Sequence, residues 1–315
     1  MYKENLGEGP IEKLAVVGES GGAQTAYNRG AMQVLQDRGI TADYYVGSSG
    51  SAPNVSYLMT GQLDPEYPIW LGRVAEGEDW SLSEFYSRLR DIFNGKKRGF
   101  FGIDRLVDEV FSDECKLDLE KMRESDSEII VPLTNARTGE PEYFRESRYE
   151  DPSKFYNNYM EILRAAMAEP IGYGGSVEID GERYFDGAFG NPLPIDIEEV
   201  EDSTLLLVRT KTEGGEKGEE YGISHKLAKL YRSIGKRMGE DSEPGVSLAL
   251  SKEAKRAEEQ QRKLERRKER GDIIVVQPDE EISKLKNDRK SLEESIEKGR
   301  SDMEEVVDIL EEKLK

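Results

Sequence analysis

Histidine and cysteine are nearly missing from this sequence. Its 315 residues include one of each, His225 and Cys115. A lone cysteine excludes an intrachain disulfide and fits a reducing compartment. A lone histidine narrows the catalytic schemes open to the chain. Positive charge is also short, with 45 Lys and Arg against 65 Asp and Glu, a formal net charge of −20. That balance argues against a nucleic-acid partner, which would need a basic face, and disfavours tight electrostatic docking on anionic lipid. No run approaches the ~20 apolar residues of a membrane span. The opening "MYKENLGEGPIEK" has no signal-type apolar stretch. These absences lead us to expect a soluble, cytoplasmic protein. Apolar residues make up only 36% of the chain, yet they are clustered, so a core can form.

The order of the clusters indicates fold class. Leu14–Val17 is a short apolar run that reads as a buried parallel strand, followed by the glycine-rich turn "GESGG" and a helical pattern over 26–37. Tyr44–Val46 reads as the next strand and 52–59 as the next helix, with Pro53 in its first turn. Strands are also expected from Glu128 ("EIIVPLTN"), Thr204 ("TLLLV") and Ile273 ("IIVV"), and a hairpin around Asp180-Gly181. Strand–turn–helix alternation of this kind predicts an α/β fold with a mostly parallel sheet. We expect one domain over 1–315. The aromatic-rich segment 62–111 is a candidate lid and acyl-binding surface, 213–270 a charged helical peripheral arm, and 273–315 the last strand with one or two amphipathic helices packing on the sheet. In the arm, 252–270 reads as a solvated helix laced by i,i+4 pairs or as a basic face for a phosphate headgroup or acidic partner.

Three loops carry the chemistry. "YYVGSSGSAPN" places a G-x-S-x-small turn between strand and helix, the pattern of a nucleophile elbow centred on Ser49 with Gly47 and Ser51 flanking it. Ser48 is the weaker candidate, with Val46 two positions before it and a side chain expected to point the other way. "GESGGAQT" exposes successive backbone N–H groups. A dinucleotide site would need a G-x-G-x-x-G pattern that is lacking here. An oxyanion hole needs only two or three N–H donors, and Gly21 and Gly22 suit it. "RYFDGAFGNPLP" sets Asp186 at the end of a strand, ahead of Gly187 and Ala188. Taken singly, each loop also reads as an ordinary tight turn.

In this order the three loops resemble the patatin-like phospholipase family. "NVSYLMTGQ", "NARTGEPEYF", "EILRAAMAEPI" and "IIVVQPDEEISKLKND" extend the likeness to its bacterial and archaeal YjjU-like branch. The resemblance implies a three-layer α/β/α sandwich. It implies a Ser–Asp dyad in which Ser49 is the nucleophile and Asp186 the general base, with an oxyanion hole from the N–H groups of Ser20, Gly21 and Gly22. The implied activity is hydrolysis of phospholipid, lysophospholipid or related acyl esters, with no cofactor or metal and with transient contact at a membrane surface. The sequence departs from the family's G-G-G-x-R-G loop at Ser20, Gln24 and Thr25, and from the elbow's final glycine at Ser51. A lipid- or acyl-binding scaffold derived from such an enzyme therefore stands as the alternative. A Ser49–Asp186–His225 triad is a lesser one, since "YGISHKLAKLY" spaces its apolar residues as a helix.

Overall fold

The computed structural model describes residues 5–6, 9–63, 102–170, 173, 175–212, 244–282 and 288–315. Nine strands form a single sheet: β1 (Asn5–Leu6), β2 (Leu14–Gly18), β3 (Tyr44–Gly47), β4 (Glu128–Asn135), β5 (Pro141–Phe144), β6 (Val177–Ile179), β7 (Glu182–Asp186), β8 (Thr204–Val208) and β9 (Asp272–Val276). Their order is β1-β9-β8-β2-β3-β4-β7-β6, with β5 also on β4. The five inner strands β9, β8, β2, β3 and β4 are parallel, and β1, β5, β6 and β7 join antiparallel. The β6–β7 hairpin turns at Asp180 and Gly181, with φ +52° and +83°. Both left-handed positions match an Asp-Gly two-residue hairpin.

The inner strands are apolar on both faces, as a sheet covered on both sides requires. Leu14 and Val16 face one core with Leu206, Val208 and Val276. Ala15 and Val17 face the other with Leu205, Leu207 and Ile273. On the first face lie α1 (Thr25–Asp37), α2 (Ser51–Met59) and α3 (Ser153–Met167). On the second, Leu264 of the helix α4 (Pro244–Arg270) packs with Ile195, Ile197 and Val200. The protein is thus a three-layer α/β/α sandwich with a mostly parallel sheet.

Among its described residues the C-terminal segment forms one helix, α5 (Arg289–Lys313), and it packs chiefly on α1 rather than on the sheet. Close helix approach is the reason. A Cβ on Gly30 would stand 1.9 Å from the Ile296 carbonyl oxygen, and one on Gly299 would stand 2.0 Å from that of Tyr27. Of the candidate lid, residues 64–101 lie outside the described residues. Its described end, where a short helical turn runs into a π-helix over Leu106–Glu114, buries Leu106, Val107, Val110 and Phe111 in the main core. Residues 213–243 of the charged arm, His225 among them, also lie outside the described residues. The rest of the arm is the helix α4, within the helical stretch expected there.

Candidate active site

Register brings the three loops together. β2 pairs β3 with Gly18 opposite Gly47, so the chain leaving β2 toward Ser20 runs beside the chain leaving β3 toward Ser49. β3 pairs the first part of β4, at Glu128–Ile130, and β7 comes the other way along Leu133–Asn135. The C-terminal ends of β3 and β7 therefore approach the same level of β4 from opposite directions. Ser49 follows one end and Asp186 closes the other.

The elbow at Ser49 is strained. Ser49 has φ +54°, one of two non-glycine residues in the left-handed region among those described. That conformation costs an L-residue on the order of 1–3 kcal/mol and persists only where its surroundings over-determine it. Here they do. A Cβ on Gly47 would lie 2.6 Å from Ala52 Cα, the Ser51 carbonyl oxygen and Val55 Cγ2. On Gly50 a Cβ would meet Thr25 Oγ1 at 2.8 Å and the Gly22 carbonyl oxygen at 3.2 Å. Ser51 opens α2 with its hydroxyl buried: Oγ donates to the Glu19 carbonyl at 2.6 Å and accepts from Asn28 Nδ2 at 2.7 Å. The serine at the family's glycine position thus ties the elbow to the glycine-rich loop. Ser48 is fully buried, and its Oγ bonds no described residue.

Asp186 is 4% exposed. Its Oδ2 accepts from Ser49 Oγ at 2.6 Å, and its Oδ1 accepts from the Ala188 N–H at 2.9 Å. Burial pushes its pKa up to about 7, against the pull of the Ser49 and Ala188 hydrogen bonds and with a further push from Glu169. A carboxylate poised there is a far stronger base than an ordinary aspartate. Gly187 is obligatory, since its Cβ would sit 1.9 Å from the Pro132 carbonyl oxygen. Thr134 Oγ1 bonds the Asp186 carbonyl at 2.8 Å.

The glycine-rich loop lies against the elbow. Gly22 has φ +55°, and Thr25 Oγ1 donates to its carbonyl at 2.7 Å. Thr25 itself has φ −68°, so its side chain is unstrained where the family has glycine. Among the described residues, nothing accepts from the N–H groups of Ser20, Gly21 or Gly22. Gln24, at the family's arginine position, donates from Nε2 to the Ile282 carbonyl.

Several residues around the site carry no sequence motif. β2 and β8 pair with Gly18 opposite Val208, which sets Glu19 beside Arg209. Their buried ion pair spans 3.1 Å, and Glu19 Oε2 also accepts from the Thr210 N–H at 2.9 Å. Burial opposes the charge on Glu19, but Arg209, Lys211 and the Thr210 N–H outweigh it and hold the carboxyl below its usual range. Thr210 Oγ1 in turn donates to the Ser20 carbonyl at 2.6 Å. The parallel pairing of "LAVVG" with "TLLLV" was the one sequence signal that could have placed these partners. Among the described residues there is no His, Cys, Asp and Glu cluster able to hold a metal ion, and no helix long and apolar enough to cross a membrane.

A sequence model of the patatin-like phospholipases matches residues 16–198. The uncharacterised protein YjjU of Escherichia coli (strain K12) is 24% identical over 203 residues, covering 63% of this chain and 52% of that protein, about half its length. Among solved structures, VipD from Legionella pneumophila aligns with a TM-score of 0.46 at 14% identity, covering 95% of this chain and 67% of that one.

Proposed function

Since the chain belongs to the patatin-like phospholipase family, we propose that it hydrolyses lipid acyl esters, of phospholipids, lysophospholipids or related compounds, through a Ser49–Asp186 dyad. The observation that carries this reading is the 2.6 Å hydrogen bond from Ser49 Oγ to a buried carboxylate whose pKa stands near 7. Ionised Asp186 takes the hydroxyl proton as Ser49 Oγ attacks the ester carbonyl carbon. Negative charge gathers on the carbonyl oxygen, where the N–H groups of Ser20, Gly21 and Gly22 are the available donors. Collapse breaks the ester bond, and protonated Asp186 returns the proton to the departing alcohol. Water then attacks the acyl-enzyme, again deprotonated by Asp186, releasing the fatty acid and restoring the serine. Substrate of this class is drawn from a bilayer or micelle, so transient contact with a lipid surface belongs to the proposal.

The direct test is labelling with a fluorophosphonate probe alongside release of fatty acid from mixed phospholipid and lysophospholipid esters. Wild type should label and hydrolyse, and Ser49→Ala should do neither. Hydrolysis should rise with pH around a midpoint near 7, because the base must be ionised. A folded wild-type chain inert to both ester and probe would replace this reading with the acyl-binding scaffold.

A further inference from the structure

Helix α4 lies beyond the residues matched by the family model, yet its side chains reach the segment that holds Asp186. We propose that α4 braces the base loop and that Arg256 is a positioning residue for Asp186. The inference rests on the dyad reading above and extends it to residues that reading does not use.

The contacts fall on both sides of Asp186. Before it, Phe185 packs with Val246, Ala249 and Leu250 of α4. After it, the 3-10 turn Gly187–Phe189 ends in a carbonyl that accepts from Arg256 Nη1 at 2.9 Å. Arg256 Nη2 donates to the Gly139 carbonyl at 2.9 Å and to Glu140 Oε2 at 2.8 Å. One turn further along, Gln260 Nε2 donates to Asn191 Oδ1 at 2.9 Å, and Lys263 Nζ bonds Asp196 Oδ2 at 2.6 Å. Asn191 closes the same turn, its N–H bonding the Gly187 carbonyl at 2.9 Å. Positions 246, 249, 256, 260 and 263 share one face of a helix by their three- and four-residue spacing.

This face controls the geometry that matters. The Ala188 N–H holds Asp186 Oδ1 and so turns Oδ2 toward Ser49. Ala188 is the middle residue of the turn whose last carbonyl Arg256 grips. Proton transfer needs the two oxygens within about 3.2 Å, and a shift near 1 Å costs up to about a hundredfold in rate. Arg256 is largely buried, its side chain 11% exposed, so water is a poor substitute for its donors.

The test compares the full chain with Arg256→Met, which keeps length and loses the donors, with Gln260→Met as a milder second variant, and with Arg262→Met on the exposed side as control. Using a short-chain p-nitrophenyl ester, Arg256→Met should lower kcat about tenfold or more with KM within about twofold. Its pH–rate midpoint should move upward, because a loosened Ala188 N–H no longer favours the ionised carboxylate. Amide hydrogen exchange over residues 187–191 should quicken while that of β2 and β3 stays at the wild-type rate. Arg256→Lys should recover part of each change, and Gln260→Met should show the same changes to a smaller degree. The inference is overturned if wild type is active while Arg256→Met matches it in kcat and midpoint, or if exchange over 187–191 is unchanged. An inert wild type sinks the hydrolase reading instead, and exchange then still decides whether the brace exists.

Discussion

Ser49 and Asp186 meet across 2.6 Å, but the two halves of the site are supported from different parts of the chain. The close contacts that shape the elbow's turn, apart from Arg209 and Thr210 behind Glu19, come from the stretch between Gly18 and Val55. The base side draws on Pro132 and Thr134, on the Ala168 carbonyl that accepts from the Asp186 N–H, and on Arg256 and Gln260. The means differ as well. Around Ser49 the backbone is wedged where side chains are absent, at Gly47 and Gly50. Around Asp186 a glycine wedge recurs at Gly187, but the buried, costly carboxylate is also caged by partners from distant parts of the chain: Thr134, the Ala168 carbonyl and, on the turn that follows, Arg256. A strained nucleophile is cheap to specify locally. A base with a raised pKa needs the whole fold to bury it.

The largest effect should come from Asp186→Asn. Losing a general base lowers kcat by about a thousandfold, measured on any ester that wild type hydrolyses. Stability should move the opposite way. With its folded pKa near 7, Asp186 keeps a proton between about pH 4 and pH 7 that the unfolded chain has released. Stability is therefore present below that window and is lost as pH rises through it, by about 4 kcal/mol at most. Asn cannot ionise, so Asp186→Asn should melt several degrees above wild type at pH 8 and close to it at pH 4. Equal melting temperatures at both pH values would mean that the cage does not strain the base.

Next in size is the nucleophile side. Glu19→Gln takes a buried counter-charge away from Arg209, and breaking a buried pair from one side costs about 3 kcal/mol or more. Urea unfolding checks it. Replacing both partners, Glu19→Gln with Arg209→Met, should recover part of the loss, since the buried guanidinium that faced Glu19 is gone as well. If the double variant is no better than the single one, Glu19 matters as an acceptor for Thr210 and not as an ion-pair partner.

That same contrast explains how much could be read from the sequence. "YYVGSSGSAPN" carries strand, glycine and small residues side by side, so the elbow at Ser49 was legible from local pattern. The hairpin was as well, because Asp180-Gly181 fixes its own turn. Asp186 was legible only through its Asp-Gly-Ala company and the family resemblance. Arg256 and Gln260 were not legible at all. In "SKEAKRAEEQQRKLERRKER" the largely buried Arg256 and the buried Arg267 look like the exposed cations, since nothing in the string says which acceptors lie opposite. Arg267 is 3% exposed and caps the Val200, Glu201 and Ser203 carbonyls. The reading of this helix as a solvated charge-laced surface holds for one of its faces only.

The smallest predicted effect concerns that other face. Lys255 and Arg262 are mostly exposed, and their i,i+4 partners Glu259 and Glu258 stand 3.6 and 3.8 Å away. Exposed pairs of this kind are screened by salt and opposed by side-chain entropy, and contribute about 0.5 kcal/mol or less. Lys255→Ala should therefore leave the urea midpoint within error of wild type, and raising salt to about 1 M should erase any residue of the difference. Arg256→Met, one position along the chain, should lower the midpoint measurably and keep doing so in high salt, because its partners include two backbone carbonyls and its side chain is largely buried. Should the neighbouring substitutions cost the same, or respond to salt alike, the helix has no inner and outer face in energetic terms, and the support of Asp186 must then come from β4 and the Ala168 carbonyl without α4.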